Sequence, residues 1–178
     1  MGVVLLVIIG VIGGFIFILY ATIKTKSTNI NRYDPFREWI SKTVVLNKQT
    51  VLFKEKIMMN DNSDYPYLLL DSLHPNWQYV EDLKNIGDIE EIVALPAGTL
   101  LLLEKAVQYT NGVSGMSYPT VFGTITSNGN NYKIGYQWGT MDIGKRFDKI
   151  EKCWQFHQAP WQNKHDTAFY ALPTANFW

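Results

Sequence analysis

Cysteine is nearly absent: Cys153 stands alone in 178 residues. One thiol closes no internal disulfide, so the fold draws nothing from an oxidising compartment. Histidine is almost as scarce. His74, His157 and His165 are the three, and no two of them stand at a zinc-ligand spacing, so neither metal nor cofactor is expected. An excess of either charge is missing as well. With Lys24 and Lys26 set aside, the remaining Lys and Arg face 16 Asp and Glu, and no run of like charge stands out. That balance excludes the clustered basic face that a nucleic acid requires.

Reactive motifs are equally lacking. Gly112-Val-Ser-Gly115 is too short for a phosphate-cradling loop and has no Lys-Thr end. There is no Gly-x-Ser-x-Gly elbow. Glu90 and Glu91 are adjacent in a strand-like stretch, where neighbours point to opposite faces, so they do not converge on one substrate. Asp61, Asn62 and Asp64 lack the spacing and the glycine of a calcium loop. The only pairing suited to catalysis is Cys153 with His157, which would join as thiolate and imidazole on a helix. In a strand the same spacing separates them by about 13 Å, and a lone cysteine among aromatics is ordinarily a small buried hydrophobe. A thiol-dependent enzyme is therefore the minor expectation.

The chain opens instead with an uninterrupted apolar run, MGVVLLVIIGVIGGFIFILYATIKTK. No residue from Val3 to Ile23 carries a charge. A helix of that length covers roughly 30 Å, the depth of a bilayer's hydrocarbon core. No basic residue precedes the run, and Leu19-Tyr20-Ala21 is not a small-x-small cleavage site. Leu6 breaks the myristoylation pattern. The expectation is an uncleaved, single-pass signal-anchor over residues 1–23. Lys24, Lys26, Arg32 and Arg37 follow the run and favour a cytoplasmic main domain. The periplasmic side is the alternative, because Lys24 and Lys26 also suit snorkelling at either interface. Gly10 and Gly14 form a GxxxG step, which offers a dimer face between membrane helices.

Residues 24–33 read as a juxtamembrane linker and residues 34–178 as a single β-rich domain. Asp34 and Pro35 fit the N-cap and first position of a short helix. HPNWQYVEDLKNIG reads as a helix ended by Gly87. Much of the remainder is strand-like. TVFGTITSNGNNYKIGYQWG reads as a hairpin turning at Asn128-Gly129, with Tyr136 and Trp138 on one face of its second arm. RFDKIEKCWQF reads as a further strand, and the aromatic tail to Trp178 is expected to dock.

Two stretches echo each other. VLNKQTVLFKEK (Val45–Lys56) matches ALPAGTLLLLEK (Ala94–Lys105), each identity lying 49 positions on. Each reads strand, tight turn, strand, which is either a chance likeness or a duplicated β unit. The turn Leu95-Pro-Ala-Gly98-Thr99, followed by the curved hairpin, also resembles bacterial SH3-like domains over residues 91–157. That resemblance implies a small SH3-like or partly open antiparallel barrel that binds peptides or glycans. The expected fold class is thus mainly β with minor α, preceded by one N-terminal transmembrane helix.

The functional expectation is a membrane-anchored, non-enzymatic binding module for a protein or peptide. Its face is expected at the NGVSGMSYP loop, with Tyr118, Tyr136 and Trp138. An inhibitor or immunity-type protein that neutralises a toxin at the membrane fits the same features, since such proteins need aromatic anchors and no catalytic groups.

Overall fold

A computed structural model describes residues 2–56 and 63–173, with the side chains of the first helix described from Ile9 onward. That helix, α1, runs Gly2–Ile23. The strands follow as β1 Lys26–Asn29, β2 Thr43–Val45, β3 Thr50–Glu55 and β4 Tyr67–Leu70. Helix α2 spans Trp77–Ile86. Next come β5 Ile89–Leu95, β6 Leu100–Thr110, β7 Ser117–Ser127 and β8 Asn130–Gln137. A short β9, Thr140–Met141, precedes α3, Ile143–Phe147, and β10, Trp154–Gln155.

Mainly β with minor α is therefore the architecture, but the small barrel expected from the SH3-like resemblance does not close. One eight-stranded sheet runs β1-β6-β7-β8-β4-β3-β5, with β2 also on β6. β4 and β8 pair in parallel, Tyr67 against Ile134 and Leu68 against Gly135, so the sheet is mixed where antiparallel order was expected. β9 and β10 form a separate two-stranded ribbon.

The reason lies in the two echoing segments. Each was expected to fold on itself as a strand–turn–strand unit, yet β2 does not pair β3, and β5 does not pair β6. The partners are exchanged instead. β2 pairs β6, with Val45 opposite Leu100 and Val44 opposite Leu101. β3 pairs β5, with Val51 opposite Ala94 and Leu52 opposite Val93. Advancing Val45 and Val51 by the echo's spacing gives Ala94 and Leu100, so one set of pairs maps onto the other. The two units interlock about a local pseudo-two-fold axis, broken by the register shift between Leu52 and Phe53. Their turns clasp as well: Leu46 N–H donates to Thr99 O at 2.9 Å, and Gly98 N–H donates to Leu46 O at 2.8 Å. Leu46 and Leu95, equivalent in the two units, are both fully buried. The reciprocal pairing gives the two segments equivalent places in the sheet.

The stretch read as a linker carries β1. Lys26–Asn29 lies antiparallel to Val107–Thr110 and extends the sheet beside β2, and Ile30 then enters the core. A polar sequence without apolar period still forms an edge strand when a long neighbour offers unpaired backbone groups. Asp34 does not cap a helix. It pairs with Arg37 at 3.0 Å, and only the 3-10 turn Phe36–Glu38 follows. Phe36 is the buried residue of that turn. α2 forms as expected, its end set by Gly87 at φ 85°, a left-handed conformation that glycine adopts without a Cβ penalty. The hairpin β7–β8 also forms, with Ser127 opposite Asn130 across Asn128-Gly129.

RFDKIEKCWQF is not one strand. It divides into α3, capped by the Asp142 carboxylate that accepts from Lys145 N at 3.0 Å, and the short β10. The tail does dock as far as it is described. Tyr170 bridges to Trp154, and Gln108 Nε2 donates to Pro173 O at 2.9 Å. Phe177 and Trp178 lie outside the described residues, as do Asp61 and Asn62.

α1 leads into β1 with only Lys24 and Thr25 between them. From Ile9 to Tyr20 every residue is exposed, and only the last turn of the helix meets the domain. Ile12, Phe15, Ile16 and Ile23 are each more than half exposed, and Gly10 and Gly14 face open space. Among the described residues no helix is long and apolar enough to cross a membrane.

A tyrosine-walled cleft over a buried histidine cluster

A cleft of about 220 Å³ lies between α2 and the sheet. Tyr79, Val80 and Leu83 of α2 form one wall; Leu68, Thr120 and Tyr118 of β4 and β7 form the other. Its polar corner is made by Asn76 and Gln137, whose side chains bond to each other, Asn76 Nδ2 to Gln137 Oε1 at 3.1 Å. That bond explains why Asn76, the residue before α2, does not cap the helix with its side chain. Tyr118 stacks on Tyr109, with ring centroids 5.6 Å apart and planes 29° apart.

Directly behind this corner sits His74, which is buried. Its Nδ1 accepts from Asn76 N at 3.0 Å and its Nε2 bonds Gln137 O at 2.8 Å. A carbonyl only accepts, so Nε2 carries the proton and the ring is neutral with both nitrogens satisfied. Burial lowers the pKa of His74, against a smaller opposing effect from the Gln137 carbonyl and Asp71. His74 thus holds the two cleft-lining residues in place from below.

The cluster continues to the half-buried His157. His157 packs on His74 with centroids 4.7 Å apart, and its Nε2 lies 3.0 Å from the Tyr136 hydroxyl. Burial, with His74, His165 and Lys48 nearby, lowers the His157 pKa to about 3. Tyr136 is pushed well above the ordinary phenol value, first by burial and then by the Asp71 carboxylate. Asp71 itself is buried. Its Oδ1 accepts from Leu73 N at 2.9 Å and lies 3.6 Å from Lys48 Nζ. Asp71 is close enough to influence the phenol, and its Oδ2 makes no regular hydrogen bond.

The three residues expected on one binding face therefore separate. Tyr118 lines the cleft. Tyr136 and Trp138 are fully buried, and Trp138 packs edge-on against Phe36, Phe156 and Trp161 while its Nε1 donates to His157 O at 2.7 Å. Tyr136 at the end of β8 and Trp138 just beyond it both pack on Trp161, within the segment from Cys153 to Trp161 that covers them. The Cys153–His157 pairing is not formed either. Cys153 is buried in the apolar core, and the His157 imidazole is engaged with Tyr136 and His74. His165 bonds the Phe156 carbonyl and Asp166 the Tyr170 hydroxyl, so each has a structural partner. Lys24 and Lys26 flank the helix–strand junction as the sequence places them.

Sequence reasoning missed Asn76, Gln137 and the Asp71–His74–His157 cluster. The one local signal was His74 beside Pro75 at the start of a helix. Apart from the neighbouring Asn76 N–H, its hydrogen-bond partner Gln137 lies 63 residues away.

No family model, curated protein or solved structure matches this chain.

Proposed function

We propose that the protein is a membrane-anchored binding module, without enzymatic activity, that holds a segment of another protein in the cleft beneath α2. The observation that carries this reading is the position of the cleft. Ser27, Tyr109 and Tyr118 stand in register on β1, β6 and β7. With about 4.8 Å between strands, Tyr118 lies roughly 10 Å from the strand that leaves α1. An aromatic-walled, partly apolar cleft with one fixed polar corner is a typical ligand-receiving arrangement. It suits an extended peptide with an apolar side chain and one backbone amide directed at Asn76 and Gln137.

The anchor itself is the uncharged run Val3–Ile23, whose side chains from Ile9 to Tyr20 are all exposed. An apolar helix with every face exposed is at home in lipid and unfavourable in water. Lys24, Lys26, Arg32 and Arg37 follow it and support a cytoplasmic position for the domain. The histidine cluster supports a positioning role over catalysis, because the ring nitrogens of His74 and Nε2 of His157 are engaged with Gln137, Asn76 and Tyr136.

A photo-crosslinking residue at Tyr79, introduced into the full chain in native membranes, tests the cleft. Adducts are expected from Tyr79 and not from Asn128, which is exposed at the far hairpin turn, and Tyr118→Ala should reduce them several-fold. Equal yields from the two positions would overturn the assignment.

A further inference from the structure

The end of α1 does not stand clear of the domain. A Cβ on Gly112 would collide with the carbonyl oxygens of Thr22, Ile23 and Lys24, so the loop between β6 and β7 rests against the last turn of the helix. This loop is stiff. Asn111 Oδ1 accepts from Val113 N and Ser114 N, both at 2.9 Å, and Gly115 N–H donates to Asn111 O at 2.9 Å. Even so, it turns two apolar side chains outward: Val113 is 75% exposed and Met116 50%.

α3 adjoins the same loop. Gly115 and Ser117 line one small cavity with Arg146 and Met141. From α3 onward three more large apolar residues face solvent, Ile143, Phe147 at 86% exposure, and Ile150. Lys145, Arg146, Lys149 and Lys152 are interleaved with them, against Asp148 and Glu151. Lys145 Nζ also sits 4.3 Å from the Phe169 ring centroid, which anchors the root of α3 to the tail.

We propose that the β6–β7 loop and α3 form a second lipid contact, a platform that lies in the headgroup region of an anionic bilayer beside the exit point of α1. The inference rests on the anchor reading. Large apolar side chains interleaved with cations are the pattern of an interfacial surface, where rings and aliphatic chains enter the acyl boundary and ammonium and guanidinium groups meet phosphates. Local backbone bonding inside the loop satisfies amide groups that would otherwise lose water on entry. Lipid is favoured over a protein partner because the patch is continuous with the helix end, which a bilayer reaches on any orientation of a single-pass anchor. Two contacts fix the tilt of the domain, and with it the direction in which the cleft opens.

Single cysteines for a polarity-sensitive fluorophore at Ile12, Val113, Phe147 and Asn128, in the full chain reconstituted into vesicles of phosphatidylcholine and phosphatidylglycerol, test this directly. Cys153 is buried and is spared by labelling of the folded protein. Quenching by shallow spin-labelled lipid should be several-fold stronger at Val113 and Phe147 than at Asn128, while Ile12 responds to deep spin-labelled lipid. In phosphatidylcholine alone the Phe147 signal should fall and the Ile12 signal should hold. Val113 and Phe147 as unquenched as Asn128, with Ile12 quenched, would overturn the platform and leave the anchor standing. An unquenched Ile12 would overturn both.

Discussion

Trp138→Ala is expected to destabilise the domain by about 3–5 kcal/mol, enough to unfold many domains of this size. The indole is fully buried and meets Phe36, Phe156 and Trp161 at centroid distances of 5.5, 5.2 and 5.4 Å. Those three come from the first turn after β1 and from the C-terminal segment, so Trp138 joins the two ends of the domain across β8. Removing it leaves a cavity that rings in fixed rotamers do not fill. Trp138→Phe separates packing from polar loss. It keeps most of the apolar contact but leaves the His157 carbonyl without its donor, a change of about 1–3 kcal/mol. Urea unfolding of the full chain in detergent, followed by circular dichroism, measures both. A loss below about 1 kcal/mol for the alanine variant would return Trp138 to the surface role expected from sequence.

Acid is expected to weaken the fold well before its carboxylates titrate. His157 has its pKa lowered to about 3 in the folded state, and His74 is lowered too. The unfolded chain binds those protons at about pH 6.5 and the folded chain does not. Stability is therefore intact above pH 6.5 and falls as pH drops below it, continuing for His157 until about pH 3. Each histidine takes away up to about 1.4 kcal/mol per pH unit, so His157 alone removes roughly 2–3 kcal/mol between pH 6.5 and 4.5. Asp166, held low by the Tyr170 hydroxyl, has the same sign but begins to act only below its ordinary value of 3.8. The window above pH 4.5 thus belongs to the histidines. His157→Gln should flatten the decline there. A urea midpoint unchanged from pH 7 to pH 5 in the parent chain would show that the cluster is open to water.

What the sequence made legible was local. Gly87 announced the end of α2, and Asn128-Gly129 the turn of β7–β8, because each of these turns requires a conformation few residues adopt. Tyr136 and Trp138 were expected on one open face, but period-two alternation cannot tell an open face from one covered by a distant segment. Cys153–Trp161 supplies that cover. The exchange of partners among β2, β3, β5 and β6 was illegible for a related reason. A strand–turn–strand pattern reads as a hairpin whether its arms pair each other or pair a second copy, and only the register of Val45 with Leu100 decides. The cleft's polar corner needs residues from two elements brought together by folding, and neither Asn76 nor Gln137 carries a motif of its own.

Alkaline carbonate extraction of membranes from cells expressing the full chain tests the central claim most directly. Carbonate strips proteins held by surface contacts and spares those with a segment in the hydrocarbon core. The chain should remain in the membrane pellet, and it should move to the supernatant when Ile12 and Ile16 are both replaced by Lys. Quantitative release of the unaltered chain into the supernatant would contradict a membrane-anchored module.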